Sequence, residues 1–468
     1  MAEAQAAQDL AARLTCASEG IFERKKAARD LGDLLQEAVS DARQRAWDDA
    51  YETGGAEAVA KLSVARGHHL QVPSYVAEAI PSLVEALNDN ALGVRAEVVR
   101  VLGRLGGSSE PAVSALAQLL SGDAESEVRW TVAASLEALG KVAAPSVPQL
   151  AAALKDASAE VRLHAASALG AIGQQAEQAV PVLIEVLTDP GWVKGKGWAG
   201  GWVAGRAALA LARVGEAASC AISPLTVLLR AQDRDAELLE AAARALGQFA
   251  KIKHSAAAAA LAVALADQNR TTVRVRKVAA EALGNLGKDG DRYTSVLATA
   301  LQDVVDDVRV KAAEALGTLG IHAAAAMPHL VEVMQKDGQA DVRREAAKAL
   351  GNIGGQACIF VPELCDALEA DADIGVRCAA ARSLGALGAC AAPAVARLAA
   401  HLLSGPPAFE QLTAMHALGR LAGASAPAAP ALANLVQSGA TSDLRACAAR
   451  TLAGLGAAAA PAVPALGE

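Results

Sequence analysis

The chain has 468 residues, of which 53% are hydrophobic but only 3% aromatic, so its core must consist mainly of Ala, Leu and Val. The net charge of −8 argues against binding to nucleic acid or to an anionic membrane through bulk charge. The first residues contain Glu3 and Asp9 and no apolar signal segment, and the apolar run from Ala256 is too short to cross a bilayer. We therefore predict a cytoplasmic protein that does not associate with membranes.

The seven cysteines form no C-x-x-C pair. Scattered cysteines in a chain without a secretory signal are typical of a reducing compartment, so we expect free thiols. Four of them are close in sequence, but their spacings of 7, 13 and 12 residues do not match zinc sites: Cys358, Cys365, Cys378 and Cys390. We predict no metal site among them.

Residues 1–74 are predicted to form an N-terminal helical cap with degenerate repeats. Arg24 opens one recognisable unit, RKKAARDLGDLL, and the next unit of this kind begins 71 residues later at Arg95. We expect a degenerate unit between them, with a loop at RGHHLQVPS.

Residues 75–468 are predicted to form one array of repeats. In VRVKAAEALGTLG we take Arg309 as an anchor, followed by Ala at +3 and +4, Leu at +7, Gly at +8, Leu at +10 and Gly at +11. The pattern returns, in places altered or without its Arg, at these anchors: Arg24, Arg95, Arg129, Arg162, Ala204, Leu239, Arg276, Arg343, Arg377, Gln411 and Arg445. Eight of the ten spacings from Arg95 to Arg445 are 33–35 residues, which indicates a repeat protein.

Each repeat is predicted to contain two antiparallel helices. The first helix contains the anchor, and we call it the anchor helix. One of its faces is formed by positions −1, +3, +4, +7 and +10. The Gly at its end lets the chain turn. A second helix then begins near a Pro, which is tolerated in a first turn, as at Pro148, Pro181, Pro328 and Pro362. A turn containing Asp leads to the next anchor. Since neither helix buries its apolar face alone, the pattern predicts an all-α, right-handed α-solenoid of about a dozen repeats.

The D-x-V-R-x-x-A-A-x-A-L-G-x-L-G units resemble the HEAT-repeat family, in particular its short phycobilisome-lyase-like repeats, over roughly residues 75–468. The resemblance implies a non-enzymatic scaffold or adaptor that binds a protein partner. The alternative is a bilin-lyase-like enzyme or accessory protein with a ligand held beneath the Trp-containing insertion described below.

A di-iron site is the sharpest enzymatic hypothesis that the resemblance offers. Deoxyhypusine hydroxylase is built from similar repeats and binds iron through His-Glu dipeptides. None of the eight His in this chain is followed by Glu. We therefore predict no catalytic residue, cofactor or metal.

The repeated anchor Arg permits two interpretations. One Arg per repeat would suit a ladder of phosphate contacts. However, an acidic residue often stands just before the anchor, as at Glu127, Glu160, Asp307 and Asp341. We predict that the Arg side chains pair with carboxylates or carbonyls of neighbouring repeats.

An insertion at residues 190–202 separates Arg162 from Ala204 by 42 residues. Its G-x-G-x-x-G match follows no strand, so we predict no dinucleotide site. The insertion would project Trp192, Trp198 and Trp202 together with Lys194 and Lys196. Since Trp is enriched at binding hot spots, this segment is a candidate partner site. Alternatively, the Trp side chains fold back over the apolar ridge of the solenoid.

The two repeats before the insertion have few charges at positions +1, +2, +5 and +9, which should face solvent. These positions hold Trp130, Thr131, Ala134 and Ala138 in one repeat, and Leu163, His164, Ser167 and Ala171 in the next. The predicted partner site comprises Trp130, Leu163 and His164 with the Trp and Lys residues of the insertion.

The last recognisable unit closes at Gly456, and AAAAPAVPALGE follows it. We expect the helix Arg445–Leu455 to leave part of its apolar face open, including Leu452 and Leu455. Because solenoid ends need polar caps, this predicts either end-to-end self-association through residues 440–468 or a longer natural chain.

Overall fold

The computed structural model describes residues 2–64, 72–188, 199–231, 235–439 and 441–462. In these ranges the chain forms helices and turns and no β-strand, which confirms the predicted all-α solenoid. The helices group into two compact units, Met1–Ile252 and Lys253–Glu468. The predicted domain boundary at residue 74 stays a prediction.

The first unit contains twelve α-helices in its described residues. They are α1 (Ala2–Thr15), α2 (Ile21–Val64), α3 (Ser74–Ala86), α4 (Leu92–Leu105), α5 (Val113–Gly122), α6 (Ser126–Leu139), α7 (Val147–Ala153), α8 (Ala159–Ile172), α9 (Val180–Thr188), α10 (Ala199–Val214), α11 (Ile222–Leu229) and α12 (Ala236–Lys251). The anchor helices are α2, α4, α6, α8, α10 and α12, and each packs on the next in this order.

The second unit also contains twelve α-helices in its described part. They are α13 (Ser255–Ala266), α14 (Val273–Gly284), α15 (Thr294–Ala300), α16 (Asp306–Leu319), α17 (Met327–Lys336), α18 (Ala340–Ile353), α19 (Val361–Ala370), α20 (Ile374–Leu387), α21 (Val395–Leu403), α22 (Ala408–Leu421), α23 (Ala429–Ser438) and α24 (Ser442–Leu455). Its anchor helices are α14, α16, α18, α20, α22 and α24, and they also stack consecutively.

A 3₁₀ helix follows most anchor helices and leads into the next short helix. The described ones are Gly106–Ala112, Gly140–Ser146, Gly173–Ala179, Gly215–Ala221, Gly287–Tyr293, Gly320–Ala326, Gly355–Phe360, Gly388–Ala394, Ala422–Ala428 and Gly456–Ala462. The glycine at position +11 ends the anchor helix with a positive φ, which is 58° at Gly320. Side chains rarely adopt this conformation, which explains the glycine in the repeat pattern.

Glycine at position +8 lets consecutive anchor helices approach closely. A methyl group on Gly351 would lie 2.6 Å from Oγ of Ser383 and 2.8 Å from its Cα. The same position at Gly284 would place it 2.6 Å from Cα of Ala315. Ser383 uses the short separation to donate a hydrogen bond to the Ala347 carbonyl at 2.7 Å. Backbone packing therefore depends on these glycines.

The anchor arginines are paired across repeats, as predicted. In six repeats the guanidinium makes two hydrogen bonds to an aspartate in the turn before the next anchor helix, with Nε–Oδ2 distances of 2.7–2.8 Å. The pairs are Arg24–Asp89, Arg95–Asp123, Arg129–Asp156, Arg276–Asp303, Arg309–Asp337 and Arg343–Asp371. These bonds tie each repeat to the next, and we call the series the Arg–Asp ladder.

The acidic residues directly before the anchors are not the partners in these six pairs. Asp307, for example, pairs at the surface with Lys277 at 2.7 Å. Arg377 is an exception, because its two hydrogen bonds to a carboxylate, at 2.6 and 2.8 Å, are accepted by Glu410 instead of an aspartate. The Arg377 guanidinium holds the pKa of the Glu410 carboxyl below its usual range, although burial opposes this.

The expected degenerate unit after Arg24 takes the form of one long helix. The helix α2 has 44 residues and carries Arg24 in its first turns, and it packs directly on α4. Arg24 bonds to Asp89 across 65 residues, just as Arg95 bonds to Asp123 across 28. The extra chain length therefore lengthens α2 and leaves the ladder intact.

The expectation that all cysteines are free thiols is wrong for one pair. Cys358 and Cys390 form a disulfide between the 3₁₀ helices of consecutive repeats, with Cα atoms 5.8 Å apart. Two positions 32 residues apart are neighbours in a repeat of this length, which spacing arguments for zinc do not consider. The cytoplasmic location stays a prediction.

The expectation of an open apolar face around Leu452 and Leu455 is also wrong, since each side chain is only 5% exposed. The 3₁₀ helix Gly456–Ala462 and the helix α23 both pack on α24 and cover these side chains. The proposed self-association therefore loses the two residues that motivated it.

Two apolar segments, Gly201–Leu229 and Ile374–Leu403, are long and apolar enough to cross a membrane by length and composition. Each of them joins an anchor helix to the next short helix through a 3₁₀ helix. Gly215 interrupts the first and Gly388 the second, both with positive φ. In their most apolar windows, 44% and 39% of the residues are buried inside the fold.

Candidate partner-binding surface

An open groove of about 570 Å³ crosses the anchor helices α2, α4 and α6. We call it the Trp130 groove. Its charged side is formed by Arg29 and Asp33 of α2 and by Glu97, Arg100 and Arg104 of α4. Its less polar side is formed by Gly103, Trp130, Thr131, Ala134, Ser135 and Ala138.

Three arginines and Asp33 form the exposed part of the charged side. The Glu97 side chain is only 9% exposed, and its oxygens lie 3.1 Å from Nη1 of Arg100 and 3.6 Å from Nε of Arg29. Nη1 of Arg104 lies 2.9 Å from Oδ1 of Asp33. The three arginine side chains are 41–58% exposed. Three guanidinium groups and the Asp33 carboxylate, whose side chain is 62% exposed, therefore face solvent here, whereas the Glu97 carboxylate does not.

The Trp130 ring is held in place by the next repeat. It stacks on the imidazole of His164, with ring centroids 5.8 Å apart and planes 26° apart. Nδ1 of His164 lies 3.2 Å from Oε2 of Glu137, so the imidazole is fixed in turn. This gives the groove a half-buried indole in a defined orientation.

The structure brings three predicted site residues onto neighbouring helices, with Trp130 on α6 and Leu163 and His164 on α8. Two other residues predicted to face solvent in this strip do not. Thr131 is 2% exposed and Ser167 is 8% exposed, because the adjacent anchor helices cover the flanks of the strip. Thr131 donates its hydroxyl to the Glu127 carbonyl at 2.7 Å. The exposed strip is therefore narrower than the sequence suggested.

Most of the insertion lies outside the described residues, including Trp192, Lys194, Lys196 and Trp198. Trp202 lies in the first turn of α10 and is 41% exposed. Since α8 packs between α6 and α10, Trp130 and Trp202 belong to anchor helices two steps apart. The contribution of the insertion to the groove stays a prediction.

Sequence reasoning missed the charged side of the groove. Arg29 and Arg100 are at position +5, and Asp33 and Arg104 are at position +9, of two anchor helices. Charged residues are common at these positions, so nothing marked them as a site. The available signal was that the two repeats that precede the uncharged strip both have Arg at position +5.

No group of three or more His, Cys, Asp or Glu in the described ranges is arranged to hold a metal ion. His68 and His69 lie outside those ranges. Cys365 and Cys378 are buried, and burial raises the pKa of the Cys365 thiol to about 11. Burial therefore keeps Cys365 protonated at neutral pH, and a protonated thiol is a poor nucleophile and metal ligand.

A family model for HEAT repeats matches much more than half of the sequence, at residues 56–137, 133–196, 222–317 and 327–419. The chain belongs to the HEAT-repeat family. The match covers HEAT repeats in general, and the phycobilisome-lyase-like qualifier stays a prediction.

Solved structures with a similar fold include karyopherins. Kap121p bound to the extreme C-terminus of the protein phosphatase Cdc14p and Kap121p bound to Pho4p are each 14% identical to this HEAT-repeat chain, with a TM-score of 0.62. Each match covers 97% of this chain and 50% of Kap121p, so the chain spans about half of that structure. Kap95p in a structure with RanGDP is 12% identical, with a TM-score of 0.58 over 99% of this chain and 67% of that one. At these identities the likeness shows the fold alone. No curated protein matches the sequence.

Proposed function

We propose that this HEAT-repeat chain is a non-enzymatic scaffold or adaptor that binds a protein partner at the Trp130 groove. The observation that carries the proposal is the half-buried Trp130 ring, held against His164 at the edge of a groove built from three anchor helices. A Trp fixed before binding loses little conformational freedom when a partner covers it. Such residues are typical binding hot spots.

Two further features support a protein partner. Leu163 and His164, both half-buried, lie on α8, between α6 and the helix that carries Trp202. In the Kap121p structures, a solenoid of similar fold is bound to the extreme C-terminus of Cdc14p in one case and to Pho4p in the other. We propose that the insertion, with Trp192, Lys194, Lys196, Trp198 and Trp202, enlarges the same binding surface.

Site-specific photo-cross-linking tests this proposal. A photoreactive amino acid at Ala138, exposed on the groove side of α6, should cross-link a defined partner from cell extract. The matched control places the same amino acid at Thr318, which is exposed at position +9 of α16 in the other unit. The cross-link should form at Ala138 only and should be lost in the Trp130→Ala variant.

Equal cross-linking at both positions, or a cross-link at Ala138 that survives Trp130→Ala with helicity intact, would contradict the proposal. A variant with Trp192, Trp198 and Trp202 all changed to Ala tests the insertion separately. If one of these residues is a hot spot of about 2 kcal/mol, the Ala138 cross-link should weaken more than tenfold.

A further inference from the structure

We infer that the Trp130 groove binds an extended, acidic segment of the partner, with an apolar side chain on Trp130 and carboxylates on the arginines of α2 and α4. This inference rests on the proposed function and adds the chemistry of the occupant. It follows from the charge of the groove, the free donors of its arginines and the spacing of its helices.

The groove has the opposite charge to the chain as a whole. Its lining holds three arginines, at Arg29, Arg100 and Arg104, against two carboxylates, at Asp33 and Glu97, which gives +3 − 2 = +1. The whole chain carries −8. A local reversal of sign attracts a partner of negative charge and disfavours a positive one.

The arginine donors of the groove are only partly used. Each guanidinium carries five N–H donors. Within the described part of the chain, two hydrogen bonds join these three groups to carboxylates, Arg100 to Glu97 and Arg104 to Asp33. Two longer ion pairs join Arg29 to Glu97 at 3.6 Å and Arg100 to Glu127 at 3.9 Å. The remaining donors are available for bidentate bonds to incoming carboxylates, which are stronger than neutral hydrogen bonds.

A basic segment would find one exposed carboxylate in the same place. Glu97 is buried beneath Arg29 and Arg100, whereas the Asp33 side chain is 62% exposed and bonded to Arg104. An incoming Lys would compete with Arg104 for Asp33 and would face three exposed guanidinium groups. Like charges brought together in an interface oppose binding.

The helix spacing sets the register of the segment. Packed helices lie about 8–10 Å apart, and an extended chain advances about 3.3 Å per residue. A segment crossing from α6 to α4 and then to α2 therefore advances about three residues per helix. With an apolar residue on Trp130, the carboxylates should follow about three residues later at Arg100 and Arg104, and about six residues later at Arg29.

Fluorescence anisotropy with designed peptides tests this register and charge on the full chain. The probe is a fluorescein-labelled Gly/Ser peptide with one Leu and with Glu three and six residues after it. Three matched peptides replace both Glu by Gln, replace both by Lys, or move both by one position. We expect the first peptide to bind most tightly, the Lys peptide most weakly, and added salt to weaken the first.

Protein variants locate the binding. Changing Arg100 and Arg104 together to Gln should weaken binding of the Glu peptide about tenfold and should reduce its salt dependence. The matched control is Arg420→Gln, an exposed arginine at position +9 of α22 in the other unit, which should have no effect. Trp130→Ala should weaken the Glu and the Gln peptides alike.

Three results would overturn the inference, and they separate it from the proposed function. Equal binding of the Glu, Gln and Lys peptides, or no effect of the Arg100 and Arg104 change, would remove the charge argument. If no peptide binds while the cross-link at Ala138 forms and needs Trp130, the partner presents a folded surface and only the inference fails. If the cross-link is absent as well, both fail.

Discussion

Each aspartate of the Arg–Asp ladder accepts hydrogen bonds on several sides. The Asp337 carboxylate accepts two from Arg309 and one from the backbone N–H of Gln339, at 2.7–3.0 Å. Its carbonyl accepts a fourth from Arg343 at 2.8 Å. One residue therefore closes its own turn and joins the anchor helices on both sides of it.

Arg309→Ala should lower the free energy of unfolding by about 1.5–3 kcal/mol, because it removes charge-assisted bonds to a mostly buried carboxylate. The Asp337 side chain is only 9% exposed. Thermal and denaturant unfolding would measure the loss. The peptide and cross-linking assays should be unaffected, because Arg309 lies outside the groove.

The control for this change is Lys311→Ala. Lys311 pairs with Glu314 at the surface, with side chains 34% and 39% exposed, so its loss should cost well under about 1 kcal/mol. Unchanged stability of Arg309→Ala, combined with lost binding of an anionic partner, would favour a phosphate ladder over the structural role.

The sequence allowed the pairing of the arginines to be predicted but not their partners. In four repeats, those anchored at Arg129, Arg162, Arg309 and Arg343, two acidic residues are available. One lies two residues before the anchor and the other in the turn six residues before it. The arginine pairs with the turn aspartate because this residue lies deeper between two anchor helices than the acidic residue just before the anchor. At Arg377, whose neighbouring turn is SGPP, Glu410 takes that place.

At the scale of the elements, replacing glycine by alanine usually stabilises a helix, but at position +8 we expect it to destabilise the protein. Gly351→Ala should destabilise the protein by about 1–3 kcal/mol, because the added methyl would overlap the Ser383 backbone. Gly454→Ala in α24 is the matched control, since nothing lies within 4 Å of the added methyl. It should be neutral or should stabilise by up to about 1 kcal/mol. Equal effects of the two changes on the unfolding midpoint would contradict the packing role.

The disulfide between consecutive repeats is a second test at this scale. Closing a loop of 32 residues should stabilise the folded state by about 3–4 kcal/mol in the chain-entropy model. Cys358→Ser should therefore lower the unfolding midpoint, whereas Cys220→Ser, an exposed free cysteine, should not. Mass spectrometry after alkylation without reductant should show Cys220 labelled and Cys358 and Cys390 unlabelled. Full labelling of all three in the folded protein would contradict the bond.

The length of α2 could not be read from its sequence. Gly54 and Gly55 lie inside this 44-residue helix, and glycine normally weakens a helix, so the sequence does not predict its length. The buried side chains of its first half, from Ala27 to Ala42, pack α2 against its neighbours.

At the scale of the whole molecule, the solenoid was predictable because one pattern recurs every 33–35 residues and fixes both helices of each repeat. The candidate site was only partly predictable. Trp130, Leu163 and His164 were found because charges are missing around them. Arg29 and Arg100 were not, because 71 residues separate them in the chain and only the packing of α2 on α4 brings them into one groove.

The most direct test of the central claim is the dissociation constant of the partner identified by cross-linking at Ala138, measured by calorimetry. Trp130→Ala should weaken binding by more than tenfold, because a hot-spot Trp contributes about 2 kcal/mol or more. Trp47→Ala, which changes a 46% exposed Trp that does not line the groove, should leave the constant within about twofold of the wild type. If Trp130→Ala binds as tightly as the wild type while remaining folded, the groove is not the partner site.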